Sequence, residues 1–205
     1  MLDKFAEKNN FKLTEENGFD ELGRPVRDLY YMNLCFNVNI RSIDKSSKCG
    51  CVAVHEDGAI LSTGYNNPIR GADDKDVPQT RPEKYDWMEH SERNVIYNAS
   101  RHGIELNNCT FYITGFPCID CLRAMIQSGA KKIVYGPNVT VMMDDKDRIA
   151  LYEKMLKGQT IVIKRFKYDN GLYSLNPFSE FVIDEKKKQG IAGCNFQWNV
   201  YPFTK

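Results

Sequence analysis

The amino-acid sequence predicts an α/β fold, in which helices cover one central sheet. The first observation behind this prediction is the Asp57-Gly58 pair, which joins two short apolar runs as hairpin turns do. The second is the alternation of strand-like and helical segments after that hairpin. The third is that three helical segments each end at a glycine, a residue that adopts the left-handed conformation of a helix end at little cost. These glycines are Gly103, Gly129 and Gly158.

The predicted elements follow in order along the chain. A first helix is expected in "PVRDLYYMNLCFNVNIRS", where apolar residues recur with helical spacing at Leu29, Met32, Phe36 and Ile40. A hairpin follows in "GCVAVHEDGAILSTGY", and then a polar, proline-containing loop, "NNPIRGADDKDVPQTRPEKYD". The three further helices are His90 to His102, Cys118 to Ser128 and Asp145 to Lys157. The strand-like runs between and after them are "CTFYIT", "KKIVYG" and "TIVIKRF".

Length and composition indicate one globular domain with extensions. The chain has 205 residues, of which 42% are hydrophobic, enough for one sizeable core. We expect the main domain at residues 25–166 and an N-terminal extension at residues 1–24. Residues 167–205 are aromatic and irregular, and we expect them to form a C-terminal extension of unknown role.

Charge and cysteine content argue against several classes of protein. The chain has 28 basic and 27 acidic residues, which is not the basic excess typical of polynucleotide binding. No apolar run has the length of a membrane span, and the N-terminus lacks the pattern of a secretory signal, so a cytoplasmic protein is expected. The odd count of seven cysteines argues against a disulfide framework. Cys35, Cys51 and Cys109 lie among apolar residues and are expected to be buried thiols.

Cys118 and Cys121 have the spacing of metal ligands. They open a predicted helix directly after Pro117, and residues three apart share one helical face. The positive end of the helix dipole lowers the pKa of a thiol and so favours the thiolate that a metal ion requires. Taken alone, the pair could equally be a redox C-x-x-C or two unrelated core thiols.

His90 supplies a third ligand of the same kind. It begins the preceding predicted helix, so two helix N-termini can face one another with His90, Cys118 and Cys121 between them. Structural zinc sites usually close with four protein ligands, whereas catalytic sites use three and keep one position open. His55 and His102 lack ligand spacing, so the sequence predicts an open zinc site in which bound water has a pKa of about 7.

Glu92 lies two residues after the histidine and is not needed as a ligand. A carboxylate beside a zinc-bound water can take its proton and pass it on. An isolated glutamate in the first turn of a helix would be interpreted as an exposed residue that the dipole favours. Within the ordered set H-x-E…P-C-x-x-C, the catalytic interpretation is favoured.

That set resembles the zinc-dependent nucleobase deaminase superfamily, and is most similar to its deoxycytidylate (dCMP) deaminase branch. The resemblance covers roughly Tyr30 to Ile163. Ser91 stands where the branch usually has alanine, a change expected to be harmless, and Asn67 replaces a glycine. The matching segments are "RSIDKSSKCGCVAV", "GYNNPIRGADD", "HSERNVIYNASRHGI" and "YITGFPCIDCLRAMIQSGAKKIVY".

The resemblance implies a fold, a reaction and partners. The fold is a three-layer α/β/α cytidine-deaminase-like sandwich around a mixed central sheet of about five strands. The reaction is hydrolysis of dCMP to dUMP and ammonia, in which zinc hydroxide attacks C4 of cytosine and Glu92 transfers protons. Between Asp73 and Met88 the chain lacks the additional Cys and His residues that bind a second zinc in some relatives, so one zinc ion per chain is expected. A homo-oligomer and a deoxynucleoside triphosphate effector are also implied.

Substrate-binding candidates come from the loops that match the branch. Asn66 is similar to an asparagine that contacts the nucleoside, although it could simply be a turn residue. Arg41 and Arg70 are candidates for the phosphate, because a guanidinium binds phosphate with two hydrogen bonds, but either could be a surface charge. Phe116 and Tyr135 could stack on a base, although core packing is the favoured interpretation.

Two other functions stay open from the sequence. The protein could deaminate another nucleobase, a nucleoside or tRNA adenosine, although the near-zero net charge weighs against a polynucleotide. It could also be a zinc-binding scaffold without catalytic activity. The presence of Glu92 and the lack of a fourth ligand argue against the scaffold.

Overall fold

A five-stranded sheet organises the protein in a computed structural model, which describes residues 25–138 and 146–166. The helices of these residues are α1 (Arg27–Asn39), α2 (Ser91–Arg101), α3 (Ile119–Gln127) and α4 (Lys146–Leu156). The strands are β1 (Gly50–Val54), β2 (Ile60–Tyr65), β3 (Asn67–Pro68), β4 (Met88–Glu89), β5 (Thr110–Gly115), β6 (Lys132–Asn138) and β7 (Val162–Arg165). The predicted extensions at residues 1–24 and 167–205, and Asp145, lie outside the described residues.

The large sheet is mixed, with the strand order β2-β1-β5-β6-β7. Strand β1 pairs antiparallel with β2 across the Asp57-Gly58 turn, and also antiparallel with β5. The pairs β5–β6 and β6–β7 are parallel, and α3 and α4 occur in the connections between those strands. The predicted mixed sheet of about five strands is therefore confirmed.

The helices cover both faces of the sheet and make three layers. On one face, Leu29, Met32 and Phe36 of α1 are buried against β1, β5 and β6. On the other face, α2, α3 and α4 bury their apolar residues in a second core. The fourth apolar position predicted for α1 is different, because Ile40 lies just past the end of the helix and is exposed.

Three helix ends and three thiols agree with the sequence predictions. Gly103, Gly129 and Gly158 follow α2, α3 and α4 with φ angles of 66°, 89° and 83°, in the left-handed region that glycine adopts without strain. The thiols of the apolar runs are fully buried, as predicted; they are Cys35, Cys51 and Cys109.

The segment predicted to be a polar loop contains regular structure. A 3₁₀ helix spans Glu83–Asp86, and β3 pairs with β4 in a short antiparallel ribbon. In that ribbon Asn67 lies opposite Glu89, so the residues after Tyr65 are held beside the start of α2. None of the helices in the described ranges combines the length and apolar character that crossing a membrane requires.

Candidate metal centre

The three predicted ligands converge at the N-termini of α2 and α3. His90 and Cys118 are the N-cap residues of the two helices and have extended backbone conformations, while Cys121 lies in the first turn of α3. Each Sγ lies 3.5 Å from Nδ1 of His90. All ligand atoms of the three residues lie within 4.8 Å of one another. One ion can therefore reach all three side chains.

The donor set fits zinc. One imidazole nitrogen and two sulfurs form a ligand combination that Zn²⁺ binds in tetrahedral sites. Within residues 25–138 and 146–166, no further His, Cys, Asp or Glu side chain joins this group. The cluster thus provides three of the four positions of a tetrahedral site, which is the arrangement of a catalytic centre.

Hydrogen bonds inside the cluster shift the pKa values of its side chains in a way that favours cation binding. The hydrogen bond with the Cys121 thiol, aided by His90, lowers the pKa of Cys118 to about 3. The same hydrogen bond and burial raise the pKa of Cys121, and the contact with Cys118 raises the pKa of His90. The cluster therefore holds a thiolate at neutral pH, the form of cysteine that binds metals.

Glu92 is buried beside the cluster in the first turn of α2. Only 5% of the residue is exposed, which excludes the alternative of an exposed first-turn acid. Its Oε2 accepts a hydrogen bond of 2.8 Å from the hydroxyl of Ser91, which is fully buried. The serine, expected to be a harmless replacement, thus contacts the predicted catalytic carboxylate directly.

Strand β2 supports the first turn of α2 through Gly64. A Cβ at Gly64 would lie 2.5 Å from the carbonyl oxygen of Ser91 and 2.6 Å from the backbone nitrogen of Val95. Both distances are far below van der Waals contact, so only glycine lets the strand approach the helix this closely. This close approach fixes the height of Ser91 and Glu92 above the sheet.

Arg93 contributes a positive charge to the ligand cluster, and the sequence did not single it out. Its guanidinium lies 3.7 Å from Sγ of Cys121 and forms an ion pair with Glu89. Glu89 also accepts a hydrogen bond of 3.1 Å from the backbone N–H of His90. A positive charge at this place stabilises thiolate sulfur. Its position could have been predicted from spacing, because Arg93 follows His90 by one helical turn and therefore lies on the same side of α2.

Asn66 lies in a polar network rather than in an open pocket. The residue is 6% exposed. Its Oδ1 accepts a 2.7 Å hydrogen bond from the N–H of Cys49, and its Nδ2 donates to Asp44 Oδ2 at 2.8 Å and to the Ser47 carbonyl at 2.9 Å. In this structure Asn66 therefore braces the loop between α1 and β1.

The two predicted phosphate ligands occupy different surroundings. Arg41 is exposed at the start of the loop that Asn66 braces. Arg70 donates a hydrogen bond to Oδ1 of Asn98 and lines a surface cavity of about 150 Å³ beside α2. That cavity is lined mainly by β3, the segment after it and the outer face of α2, and His90, Cys118 and Cys121 are not among its lining residues. Arg41 is not among the residues that line this cavity.

Phe116 and Tyr135 are half-buried and pack against each other. Their ring centroids lie 4.9 Å apart, and Phe116 also contacts Tyr152 of α4 at 5.1 Å. The hydroxyl of Tyr152 donates a hydrogen bond of 3.0 Å to the carbonyl of Pro117. This aromatic group holds the turn that precedes Cys118, which supports packing over base stacking.

Comparison with known proteins identifies relatives of the chain. Residues 25–137 match the family model described as the cytidine and deoxycytidylate deaminase zinc-binding region. A probable deoxycytidylate deaminase of Caenorhabditis elegans is 34% identical over 131 residues, which cover 62% of this chain and 63% of that protein. The human deoxycytidylate deaminase is 30% identical over 112 residues, which cover 52% and 62% respectively. This chain thus spans a little over three fifths of the length of these curated relatives.

A solved structure agrees with the fold. The dCMP deaminase from the cyanophage S-TIM5, in its apo form, aligns with a TM-score of 0.54 at 22% sequence identity. The alignment covers 69% of this chain and 98% of that one. The architecture built around the five-stranded sheet is therefore shared between the two proteins.

Proposed function

The chain belongs to the cytidine and deoxycytidylate deaminase family, and we propose that it hydrolyses dCMP to dUMP and ammonia. The observation that carries the proposal is the cluster of His90, Cys118 and Cys121, which has three ligands and a buried carboxylate beside it. The proposal of dCMP as the substrate rests on relatives about 30% identical that are described as deoxycytidylate deaminases. The catalytic domain is proposed to span residues 25–166.

His90, Cys118 and Cys121 would hold one zinc ion per chain. Zinc bound in such a site supplies Lewis-acid activation of water near neutral pH. The chain's contribution is to present one nitrogen and two sulfurs on helix termini that the core fixes in place. Arg93 adds positive charge next to Cys121, which favours the thiolate form.

Glu92 is proposed to move the protons of the reaction. Its carboxylate would accept a proton from the attacking water and deliver protons to N3 of cytosine and to the departing amino nitrogen. The C4–N bond breaks, a C4–O bond forms, and ammonia leaves. Ser91 occupies Oε2 of Glu92, so Oε1 is the oxygen we assign to proton transfer.

Nucleotide binding is proposed to involve Asn66, Arg41 and Arg70. Arg41 and Arg70 are exposed guanidinium groups that suit a phosphate. Asn66 would act in part through the loop that it braces. The homo-oligomer, the deoxynucleoside triphosphate effector and the cytoplasmic location stay predictions from family resemblance.

The test is ammonia release from a panel of substrates by protein whose zinc content has been measured. We expect turnover of dCMP to exceed that of deoxycytidine, cytosine and an adenosine-containing stem-loop. A preference for the stem-loop or for the free base would replace dCMP with another substrate of the same chemistry. Zinc-loaded protein that releases no ammonia from any of them would support the scaffold function instead.

A further inference from the structure

A buried ion pair joins the loop of residues 41–49 to the 3₁₀ helix and has no role in the mechanism above. Nζ of Lys84 lies 2.5 Å from Oδ2 of Asp44, and the two residues are 3% and 1% exposed. Removing two charges from water is costly, and an apolar pair of similar size often stabilises a fold equally well. Such a pair is therefore weak evidence for a role in stability and calls for a different explanation.

Both oxygens of the Asp44 carboxylate accept hydrogen bonds from the surrounding segments. Oδ1 accepts hydrogen bonds from the N–H groups of Ser46 at 2.7 Å and Ser47 at 3.0 Å. Oδ2 accepts from Nδ2 of Asn66 at 2.8 Å and from Lys84. The ammonium of Lys84 also lies 3.4 Å from the hydroxyl of Ser47. Three chain segments therefore meet at one carboxylate: the loop of residues 41–49, the residue after β2, and the 3₁₀ helix.

This network lies next to the start of α2. Lys84 precedes His90 by six residues in the same stretch of chain, and β4 lies between them. Asn66 follows β2 directly, and the next residue, Asn67, pairs with Glu89 in the short ribbon. Through β2 and its Gly64, the same strand contacts the turn that carries Glu92. Two of the segments tied to Asp44 thus adjoin the start of α2, which carries His90 and Glu92.

We propose that Lys84 is a positioning residue for nucleotide binding, acting through Asp44 to hold Asn66 and the loop of residues 41–49 in the binding conformation. The inference rests on the proposed function, because it assigns that loop to the nucleotide. Lys84 does not itself meet the substrate, since its ammonium is buried against Asp44, Ser47 and the ring of Tyr85, whose centroid is 5.6 Å away. Without the ammonium, the Asp44 carboxylate loses its countercharge and the loop loses its anchor on the 3₁₀ helix.

The test compares Lys84→Met with Lys132→Met in the full, zinc-loaded chain. Methionine keeps the length of the side chain and removes the charge. Lys132 also pairs with an aspartate, Asp28 at 3.2 Å, but it does so at the start of β6 beside α1. For Lys84→Met we expect amide hydrogen exchange at Ser46 and Ser47 to rise at least ~10-fold. We also expect KM for dCMP to rise at least ~10-fold, with kcat within about twofold and unchanged zinc content. Lys132→Met should change neither exchange in the loop nor KM.

A double variant covers the case in which Lys84→Met does not fold. Asp44→Asn combined with Lys84→Met removes both charges, so that no unpaired ion is buried. It should fold and still show a raised KM or faster exchange, because the single acceptor oxygen of an asparagine cannot serve both Asn66 and the N–H groups of Ser46 and Ser47. Wild-type KM and wild-type exchange in this variant would overturn the inference.

The outcomes separate the two proposals. If the wild type turns over dCMP but Lys84→Met changes only thermal stability, the residue is merely structural and the inference fails alone. If the wild type releases no ammonia from dCMP, the proposed function fails. Hydrogen exchange then still decides whether Lys84 holds the loop, because that measurement does not depend on turnover.

Discussion

Two regions border the start of α2, and they are built in different ways. The metal centre lies on helix termini: His90 and Cys118 are N-cap residues, and the packing of α2 and α3 on the sheet sets the distance between them. The loop region, comprising residues 41–49 and the segment from residue 66 to the 3₁₀ helix, is held by hydrogen bonds to Asp44. Apolar packing positions the first region, whereas buried polar contacts position the second.

The difference suggests separate roles: the metal centre carries out the reaction, and the loop region recognises the substrate. A ligand cluster on two helices tolerates little movement, which suits a metal ion and a proton-transfer group. A loop region held by polar side chains can shift its conformation while the apolar core stays in place, which suits the choice of substrate. Substitutions should therefore affect metal and rate in the first region, and binding and stability in the second.

The largest expected effect is that of Cys121→Ser on the metal centre. Serine is a much weaker zinc ligand than thiolate, so we expect zinc content to fall from one per chain to near zero and ammonia release to be lost. The fold should persist, because the core around α3 does not depend on this ligand. Metal analysis measures the zinc content, an ammonia assay measures turnover, and circular dichroism measures the fold. Cys49→Ser, at a half-buried cysteine outside the cluster, should keep its zinc.

Glu92→Gln should separate metal binding from proton transfer. The amide keeps the shape of the side chain but cannot carry the proton, so kcat should fall about 10²–10⁴-fold with full zinc content. The matched control is Glu105→Gln, at an exposed position after α2, which should behave as wild type. Near-normal turnover by the zinc-loaded Glu92→Gln variant would remove Glu92 from the mechanism.

Asp44→Ala should produce the opposite pattern in the loop region. It leaves the ammonium of Lys84 buried without its partner, which typically costs about 3–5 kcal/mol. We expect that loss in the free energy of unfolding measured with urea, while the folded fraction still binds one zinc per chain. If zinc binding were lost in the folded fraction as well, the two regions would not be independent and the comparison would fail.

The smallest expected effect is that of Ser91→Ala on the orientation of Glu92. The alanine removes the 2.8 Å hydrogen bond to Oε2 and leaves the carboxylate able to rotate. We expect kcat to fall roughly tenfold, the worth of one hydrogen bond to a charged group, with KM and zinc content unchanged. Ser100→Ala on the exposed side of α2 is the matched control. An unchanged kcat would show that the hydroxyl of Ser91 does not affect catalysis.

Sequence reasoning predicted the parts of the molecule that have a local signal. Helix α1 follows from the spacing of apolar residues, α2, α3 and α4 follow from the glycines that end them, and the three-ligand cluster follows from spacing at two helix starts. The aromatic contacts of Phe116 agree with the favoured interpretation. The helix ends and the C-x-x-C pair are the most local of these signals, because each lies within one or two helical turns.

The parts that the sequence did not predict have no local signal. The ribbon of β3 and β4 has two residues in each strand, too few to show alternation. Lys84 and Asp44 are 40 residues apart, so their pairing depends on the tertiary fold. The hydrogen-bond partners of Asn66 lie 17 to 22 residues earlier in the chain, in the loop before β1, so the residues next to Asn66 do not indicate them.

X-ray absorption spectroscopy at the zinc edge tests the central claim most directly, because it counts the sulfur atoms around the ion in purified protein. The account predicts one zinc per chain with two sulfur ligands, one imidazole and one light atom that is displaced by a substrate analogue. Absence of zinc, or a third sulfur in its coordination shell, would contradict an open three-ligand site formed by His90, Cys118 and Cys121.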